Sequence, residues 1–176
     1  MTGTINRTPN VSGMTTTLPG IVYPGQSVTF KISGATDADS GDTVTYMIEN
    51  NNTDLTFSKV SGIAANTNVT LTVGSSAARG NIYNVNIIAV DTTGGKKVLS
   101  KNIKINTLPN LDNMQNPIGD IVIPNKTYTF ATEGAVDYDN QTLTYTYTCS
   151  NANVTISQSG STVTLTTPTT TNMARG

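Results

Sequence analysis

The 176-residue chain contains no histidine and no tryptophan, and Cys149 is its only cysteine. Without histidine, it lacks the usual general base, the catalytic triads built on that base and the commonest metal-ligating side chain. A single cysteine excludes an internal disulfide. We expect Cys149 to be a half-buried strand residue, because a catalytic thiol needs a neighbouring base. The two glutamates are far apart in sequence, and a glycosidase pair would have to come from aspartates, which cluster at one loop instead of flanking a cleft. We therefore predict that the protein is not an enzyme and has no catalytic residues.

Charge and long apolar runs are also scarce. Charged residues make up 12% of the chain, about half the usual share, and the net charge is −1. This balance argues against a nucleic-acid partner or a polybasic membrane surface. No apolar run approaches the ~18–20 residues that span a bilayer, so we predict no transmembrane segment. The first ten residues lack a signal-peptide pattern, so export is either encoded elsewhere or does not use that route.

Threonine and asparagine are abundant instead, with 33 and 20 residues. Threonine is β-branched and suits the half-exposed surface of a sheet. Asparagine suits turns and tolerates left-handed backbone. The composition therefore predicts an all-β protein with many polar turns.

Two stretches of the chain are near copies of each other, one hundred positions apart. The matching segments are 5–10 with 105–110, 21–30 with 121–130, and 34–39 with 134–139. A unit of about one hundred residues in tandem is typical of repeat arrays. The positions at which the repeat begins and ends predict three parts of the chain. Residues 1–7 are the end of a preceding repeat or a linker, 8–107 a complete β-sandwich, and 108–176 a second sandwich.

Apolar residues alternate with polar ones in both units, which is typical of strands. In the first unit these runs are 28–32, 44–48, 55–57, 69–73, 83–89 and 99–105, with a short edge strand at 21–23. In the second unit they are 128–130, 143–147, 154–156 and 163–165. About seven short strands per unit and no helical period predict tandem Greek-key, Ig-like β-sandwiches.

The second unit is predicted to lack its last two strands. Residues 174–176 match 78–80, which in the first unit precede the strands of 81–106. Three explanations remain open. The sequence is part of a longer polypeptide, a partner chain supplies the strands by strand addition, or the second unit ends differently.

Three segments carry a resemblance to a known family. They are 25–30 (GQSVTF), 35–46 (ATDADSGDTVTY) and 83–94 (YNVNIIAVDTTG). They resemble bacterial cadherin-like and dystroglycan-type cadherin-like modules. The resemblance implies extracellular β-sandwiches of adhesins and surface arrays, whose acidic loop often binds calcium.

The resemblance places calcium at Asp37, Asp39 and Asp42 of the first unit, with Asp91 at the same pole. In the second unit it leaves only Asp137 and Asp139, because Asn140 and Gln141 replace the segment that holds the third aspartate. Calcium needs six to eight oxygen ligands. The alternative is that these aspartates only cap turns by accepting backbone hydrogen bonds. No other cofactor is predicted.

The leading functional hypothesis is a non-enzymatic structural or adhesive module of a long extracellular or surface-displayed protein. Its partners are neighbouring repeats of the same polypeptide or identical subunits in a filament or array, with a host-surface or glycan ligand. The alternative is an Ig-like structural, decoration or fibre domain of a bacteriophage virion. A second alternative is a carbohydrate-binding accessory module, against which the scarcity of aromatic residues counts.

Overall fold

The computed structural model describes residues 5–115, 118 and 122–169. The chain folds into two compact units, Met1–Asn106 (unit 1) and Thr107–Gly176 (unit 2). The segment 1–7, set apart in the sequence-based division, is grouped with unit 1. The described residues contain strands and no helix, and the prediction of an all-β fold is confirmed. None of the described residues forms a helix long and apolar enough to cross a membrane.

The described residues of unit 1, 5–106, form nine strands in three sheets. They are β1 Thr15–Thr16, β2 Ile21–Val22, β3 Ser27–Phe30, β4 Ile32–Ser33, β5 Thr45–Asn50, β6 Leu55–Phe57, β7 Val69–Val73, β8 Ile82–Val90 and β9 Lys96–Ile105. A four-stranded sheet has the order β2-β9-β8-β5, a three-stranded sheet the order β3-β7-β6, and β1 pairs with β4. Some strands that are adjacent in a sheet, such as β3 and β7, are distant in sequence. The chain therefore crosses from one sheet to the other between them. This arrangement is a β-sandwich.

The apolar side of each alternating strand faces the interior of unit 1. Phe30, Tyr46, Leu71, Ile87 and Ile103 are each exposed by no more than 1%. Full burial of such a side chain stabilises the fold by about 1.5–3 kcal/mol. Hydroxyl side chains occupy the opposite face, where β3 and β7 place Ser27 beside Thr72 and Thr29 beside Thr70. The threonine-rich composition therefore produces an uncharged outer face.

A close backbone approach explains one repeated glycine. Gly34 has a φ of +87°, and a Cβ there would lie 2.1 Å from the carbonyl oxygen of Gly13. Gly134 repeats the feature with a φ of +92° and a clash with the carbonyl oxygen of Asn113. Only glycine fits such a position, because it has no Cβ and tolerates positive φ.

Unit 2 repeats the three-stranded sheet of unit 1. Its strands are β10 Thr127–Ala131, β11 Thr155–Ser159 and β12 Thr162–Thr166, in the order β10-β12-β11. Phe130 pairs with Val163 as Phe30 pairs with Val69. The repeat seen in the sequence is therefore also a repeat of strand register.

The predicted strand at 143–147 is not formed. Leu143, Tyr145 and Tyr147 are half-buried between exposed threonines, so the predicted alternation of faces is present without a ladder. The counterpart strand β5 pairs with β8, and the described residues of unit 2 contain no counterpart of β8. Cys149 follows this segment and is exposed, so the expectation of a half-buried strand residue is wrong. The match at 174–176 lies outside the described residues.

Candidate functional site

The acidic loop between β4 and β5 brings three carboxylates together. The backbone N–H of Asp39 donates to Asp37 Oδ1 at 2.8 Å, and the N–H of Asp42 donates to the carbonyl oxygen of Asp39 at 3.2 Å. These turns bend the loop so that one oxygen from each side chain lies within 4.8 Å of the others. Asp37, Asp39 and Asp42 are all partly buried. The loop therefore concentrates negative charge in a small volume.

Oxygens this close to one another can all contact a single cation. Two oxygens on opposite sides of calcium, each at about 2.4 Å, are separated by about 4.8 Å. Asp37 Oδ2 is enclosed and accepts no hydrogen bond from the part of the chain that the structure describes, which leaves it available as a ligand. Carboxylate oxygens are the ligands that calcium prefers. Asp37, Asp39 and Asp42 are thus the residues that would hold a cation.

Asp39 also contacts the segment that leads into unit 1. The backbone N–H of Arg7 donates to Asp39 Oδ2 at 2.6 Å. The Arg7 guanidinium Nε lies 4.0 Å from Asp39 Oδ1, but its side chain is 69% exposed. An ion pair this exposed stabilises the protein little. The main contribution of Asp39 to the fold is therefore the bond to the Arg7 backbone.

Asp91 does not join the carboxylate group, and in the structure it caps a turn instead. Its Oδ1 accepts hydrogen bonds from the N–H and hydroxyl of Thr93, both at 2.9 Å, and from the N–H of Gly95 at 2.8 Å. Its Oδ2 accepts from the Asn6 side chain at 3.2 Å. All of these bonds tie the residue to its own turn and to the segment that leads into the unit. Asp91 therefore lies outside the group of three carboxylates, and its role as a ligand stays a prediction.

Hydrogen bonding also sets the charge state of Asp91. Desolvation by burial would raise the pKa of this carboxyl, but the bonds from Thr93, Asn6 and Gly95 favour the charged form and outweigh it. The pKa of Asp91 consequently lies below its ordinary value. The turn is held by an ionised carboxylate at neutral pH.

Unit 2 keeps two of the acidic residues and the contact with its leading segment. The N–H of Asp139 donates to Asp137 Oδ1 at 2.7 Å, as in unit 1. Asp139 Oδ2 accepts from the N–H of Thr107 at 2.5 Å and from its hydroxyl at 2.6 Å. The described residues of unit 2 bring no third carboxylate to this loop. The feature common to both units is the hydrogen bond that the loop aspartate accepts from the backbone near the start of its own unit, which we call the N-terminal clasp.

The sequence analysis did not predict the N-terminal clasp. The bonded residues are separated by 32 positions in both units, Arg7 with Asp39 and Thr107 with Asp139. Any residue shared by two copies of a tandem repeat keeps such a spacing, so the spacing alone does not indicate a contact.

A polar cleft of about 310 Å³ lies beside the end of β5. Its lining includes Glu49, Asn51, Asn84 and Asn86, which offer carboxylate and amide groups. Tyr83 is its aromatic neighbour, and the Tyr83 hydroxyl donates to Asp54 at 2.7 Å. The cleft therefore presents hydrogen-bonding groups to a polar ligand.

No protein-family model and no curated protein matches the sequence. Among solved structures, the chain is similar to a nucleoside hydrolase-related hypothetical protein from Saccharophagus degradans that is associated with carbohydrate metabolism. The identity is 15% and the TM-score 0.44, over 57% of this chain and 26% of that one. The chain thus spans about a quarter of the length of that protein.

Proposed function

We propose that this chain is a non-enzymatic structural and adhesive repeat module, cadherin-like in type, of a long extracellular or surface-displayed protein. The observation that carries the proposal is the direct succession of the two units. The backbone N–H of Asn106 donates to the Val22 carbonyl at 2.8 Å, and the Asn106 carbonyl accepts from Arg79 at 3.1 Å, both within unit 1. The next residue, Thr107, is bonded within unit 2.

A chain with no free residue between successive modules is suited to spacing. The last residue of one unit and the first residue of the next are each hydrogen-bonded to their own unit, so the sequence passes from one module to the next without a separate linker segment. The N-terminal clasp recurs at Arg7 and Asp39, where the chain leads into unit 1. The same junction design at the start of each unit supports an array of similar modules.

The proposal is tested by locating the protein. Antibodies raised against the 176-residue chain would be used on fractionated cells of the source organism and on purified virus particles from it. We expect the signal in the surface or secreted fraction, on a polypeptide larger than one unit. A signal confined to virus particles would overturn the proposal in favour of the virion alternative.

The adhesive part of the proposal is supported by the polar cleft beside β5. Amide and carboxylate side chains such as Asn84 and Glu49 are suited to hydrogen-bonding the hydroxyls of a sugar. A glycan array probed with the wild-type chain and with the Asn84→Ala variant would test this. Binding that the variant loses supports a glycan ligand. A blank array removes this role and leaves spacing as the function.

We also propose that the acidic loop of unit 1 binds one calcium ion. The convergence of Asp37, Asp39 and Asp42 and the enclosed oxygen of Asp37 support this. Unit 2 has two of the three carboxylates and is expected to bind calcium more weakly or not at all. Calcium at this position would also neutralise the repulsion among the three side chains.

A further inference from the structure

Strand β9 of unit 1 has a neighbour along its whole length on one side only. Residues 96–104 pair with β8, whereas β2 pairs with β9 only at Lys104 and Ile105. No described strand pairs with residues 96–102 from the side of β2. These seven residues are therefore an open edge of the four-stranded sheet, which we call the β9 edge.

Alternate residues of the β9 edge direct their backbone groups toward the open side. At the end of the strand, the N–H of Ile105 donates to the Asn81 carbonyl beside β8, and the N–H of Lys104 donates to the Gly20 carbonyl beside β2, both at 2.8 Å. The pairing with β8 has no bulge, so the same alternation holds along the strand. The even-numbered residues thus offer N–H and C=O groups to a further strand. They are Lys96, Val98, Ser100 and Asn102.

Two lysines lie on the side of β9 that faces the core. In the pairing with β8, Lys97 lies opposite Ala89 and Lys101 lies opposite Val85, and both of these partners are fully buried. Leu99 lies between the lysines on the same side and packs against the core. Both lysines are nevertheless exposed, and no described carboxylate forms an ion pair with either of them. The β9 edge therefore carries two uncompensated positive charges where β8 is apolar.

Pairing with the same edge of a second copy would bring these lysines together. An antiparallel pair with its twofold axis at Leu99 would continue the apolar side of the sheet, because each Leu99 would lie opposite the other. In that register Lys97 of each copy lies opposite Lys101 of the other. A twofold axis at either lysine places that lysine opposite its own counterpart. Like charges directly opposite each other in a sheet are destabilising, so the charges act against all three pairings.

We propose, independently of the function above, that Lys97 and Lys101 keep the β9 edge from pairing with the β9 edge of a second copy. An open edge is a template for another strand, and native sheets avoid such pairing with proline, bulges or charges directed inward. The β9 edge contains neither proline nor a bulge, which leaves the two charges to act. Their removal should therefore convert the edge into an interface between identical chains.

The first test removes the two charges from the 176-residue chain. The variant with Lys97→Val and Lys101→Val is compared with a control that carries Lys31→Val and Lys59→Val, since all four lysines are exposed and the loss of charge is the same. Sedimentation measures self-association over a range of protein concentrations. We expect the edge variant to associate with a Kd at least roughly tenfold lower than that of the wild type or the control. Hydrogen–deuterium exchange should slow at the even-numbered amides of the β9 edge, which are unpaired in the single chain.

The second test restores pairing through opposite charges and does not depend on the valine variant. A variant with Lys97→Glu and Lys101→Glu again opposes like charges, so alone it should associate no more than the wild type. Mixed with the wild type, it places opposite charges across the two strands, and a one-to-one complex with slowed exchange at the β9 edge is expected. Amide protection of β8 shows that each variant folds.

Three results would overturn the proposal. The first is association of the wild type that already protects the even-numbered amides of the β9 edge. The second is a folded valine variant that associates no more than its control. The third is a mixture of the wild type and the glutamate variant that forms no complex through this edge.

Discussion

Asp139 accepts two hydrogen bonds from Thr107, one from the backbone N–H at 2.5 Å and one from the hydroxyl at 2.6 Å. The pair is separated by 32 residues and lies at the point where the chain leads into unit 2. The equivalent aspartate of unit 1, Asp39, accepts from the backbone of Arg7. The aspartates of the two acidic loops therefore share a structural role, which explains why both units have one at this position whether or not a metal binds.

Loss of the N-terminal clasp should destabilise unit 2. We expect Asp139→Ala to lower the free energy of unfolding of unit 2 by about 1–2 kcal/mol, because a part-buried N–H loses its acceptor. Urea unfolding followed by hydrogen–deuterium exchange resolves the two units and measures this. Asp139→Asn keeps an acceptor oxygen and serves as the control. Equal stability of the alanine variant and the wild type would rule out the clasp as a stabilising contact.

Calcium should stabilise unit 1 through the acidic loop. We expect the Tm of unit 1 to be higher in calcium than in a chelator, because a ligand that binds only the folded state stabilises it. Asp42→Asn removes one charged ligand and should reduce the shift. Asp91→Asn removes no ligand of this group and should retain a shift. Identical melting curves with calcium and chelator would remove the metal from the proposal.

Unit 1 should lose stability in acid through Asp91. The pKa of this carboxyl is lowered in the folded state, so its contribution is fully present above the unfolded pKa of about 3.9. It is lost as the pH falls through the lower folded value. Unfolding measured between pH 6 and pH 2 should show a smaller acid-dependent loss in Asp91→Asn than in the wild type. The same pH dependence in both proteins would show that the Asp91 carboxylate does not cause the loss of stability in acid.

The close approach at Gly34 should make that position intolerant of a side chain. We expect Gly34→Ala to destabilise unit 1 by about 3 kcal/mol or more, since positive φ and a backbone clash act together. Gly41 has a similar φ of +93°, but a Cβ at Gly41 would have no neighbouring atom within 4 Å. Gly41→Ala should therefore cost only about 1–2 kcal/mol of backbone strain. Denaturant titration of the two variants separates the cost of backbone strain from the cost of the clash with Gly13. An equal loss of stability in both variants would exclude a contribution from the clash.

The Tyr46 hydroxyl should contribute to the core of unit 1. It accepts a hydrogen bond from the backbone N–H of Ala35 at 3.1 Å, and its side chain is 1% exposed. We expect Tyr46→Phe to lower the free energy of unfolding by about 1–2 kcal/mol, because that N–H is left without an acceptor. Tyr145→Phe, at the half-buried counterpart in unit 2, should change stability by less than about 0.5 kcal/mol. Unchanged unfolding of Tyr46→Phe would show that Ala35 finds another partner.

The strands could be predicted where their own residues alternate and their partners are present. This holds for β7, whose buried Val69, Leu71 and Val73 follow the expected period. It fails at 143–147, where the alternation is equally clear but no described strand supplies the ladder. An alternation of apolar and polar residues shows which side chains share a face. A strand also needs a neighbouring strand to which its backbone is hydrogen-bonded.

The candidate site was predicted in part for a similar reason. Asp37, Asp39 and Asp42 lie on one short loop, so sequence proximity alone brings them together. Asp91 is 49 residues beyond Asp42, and its orientation depends on the turn that its own carboxylate caps. The partner of Asp39 is a backbone N–H, which any residue except proline supplies. Residue identity at position 7 therefore gives no signal for the contact.

The hydroxyl-lined face of β3 and β7 has a consequence for how the protein responds to salt and pH. Hydroxyl groups such as those of Thr29 and Thr70 stay hydrated without carrying charge, so salt has little to screen on this face. Without histidine, no side chain of ordinary pKa titrates between about pH 5 and pH 8. Such a surface keeps the same interactions with water from fresh water to brine and across mildly acidic and neutral conditions.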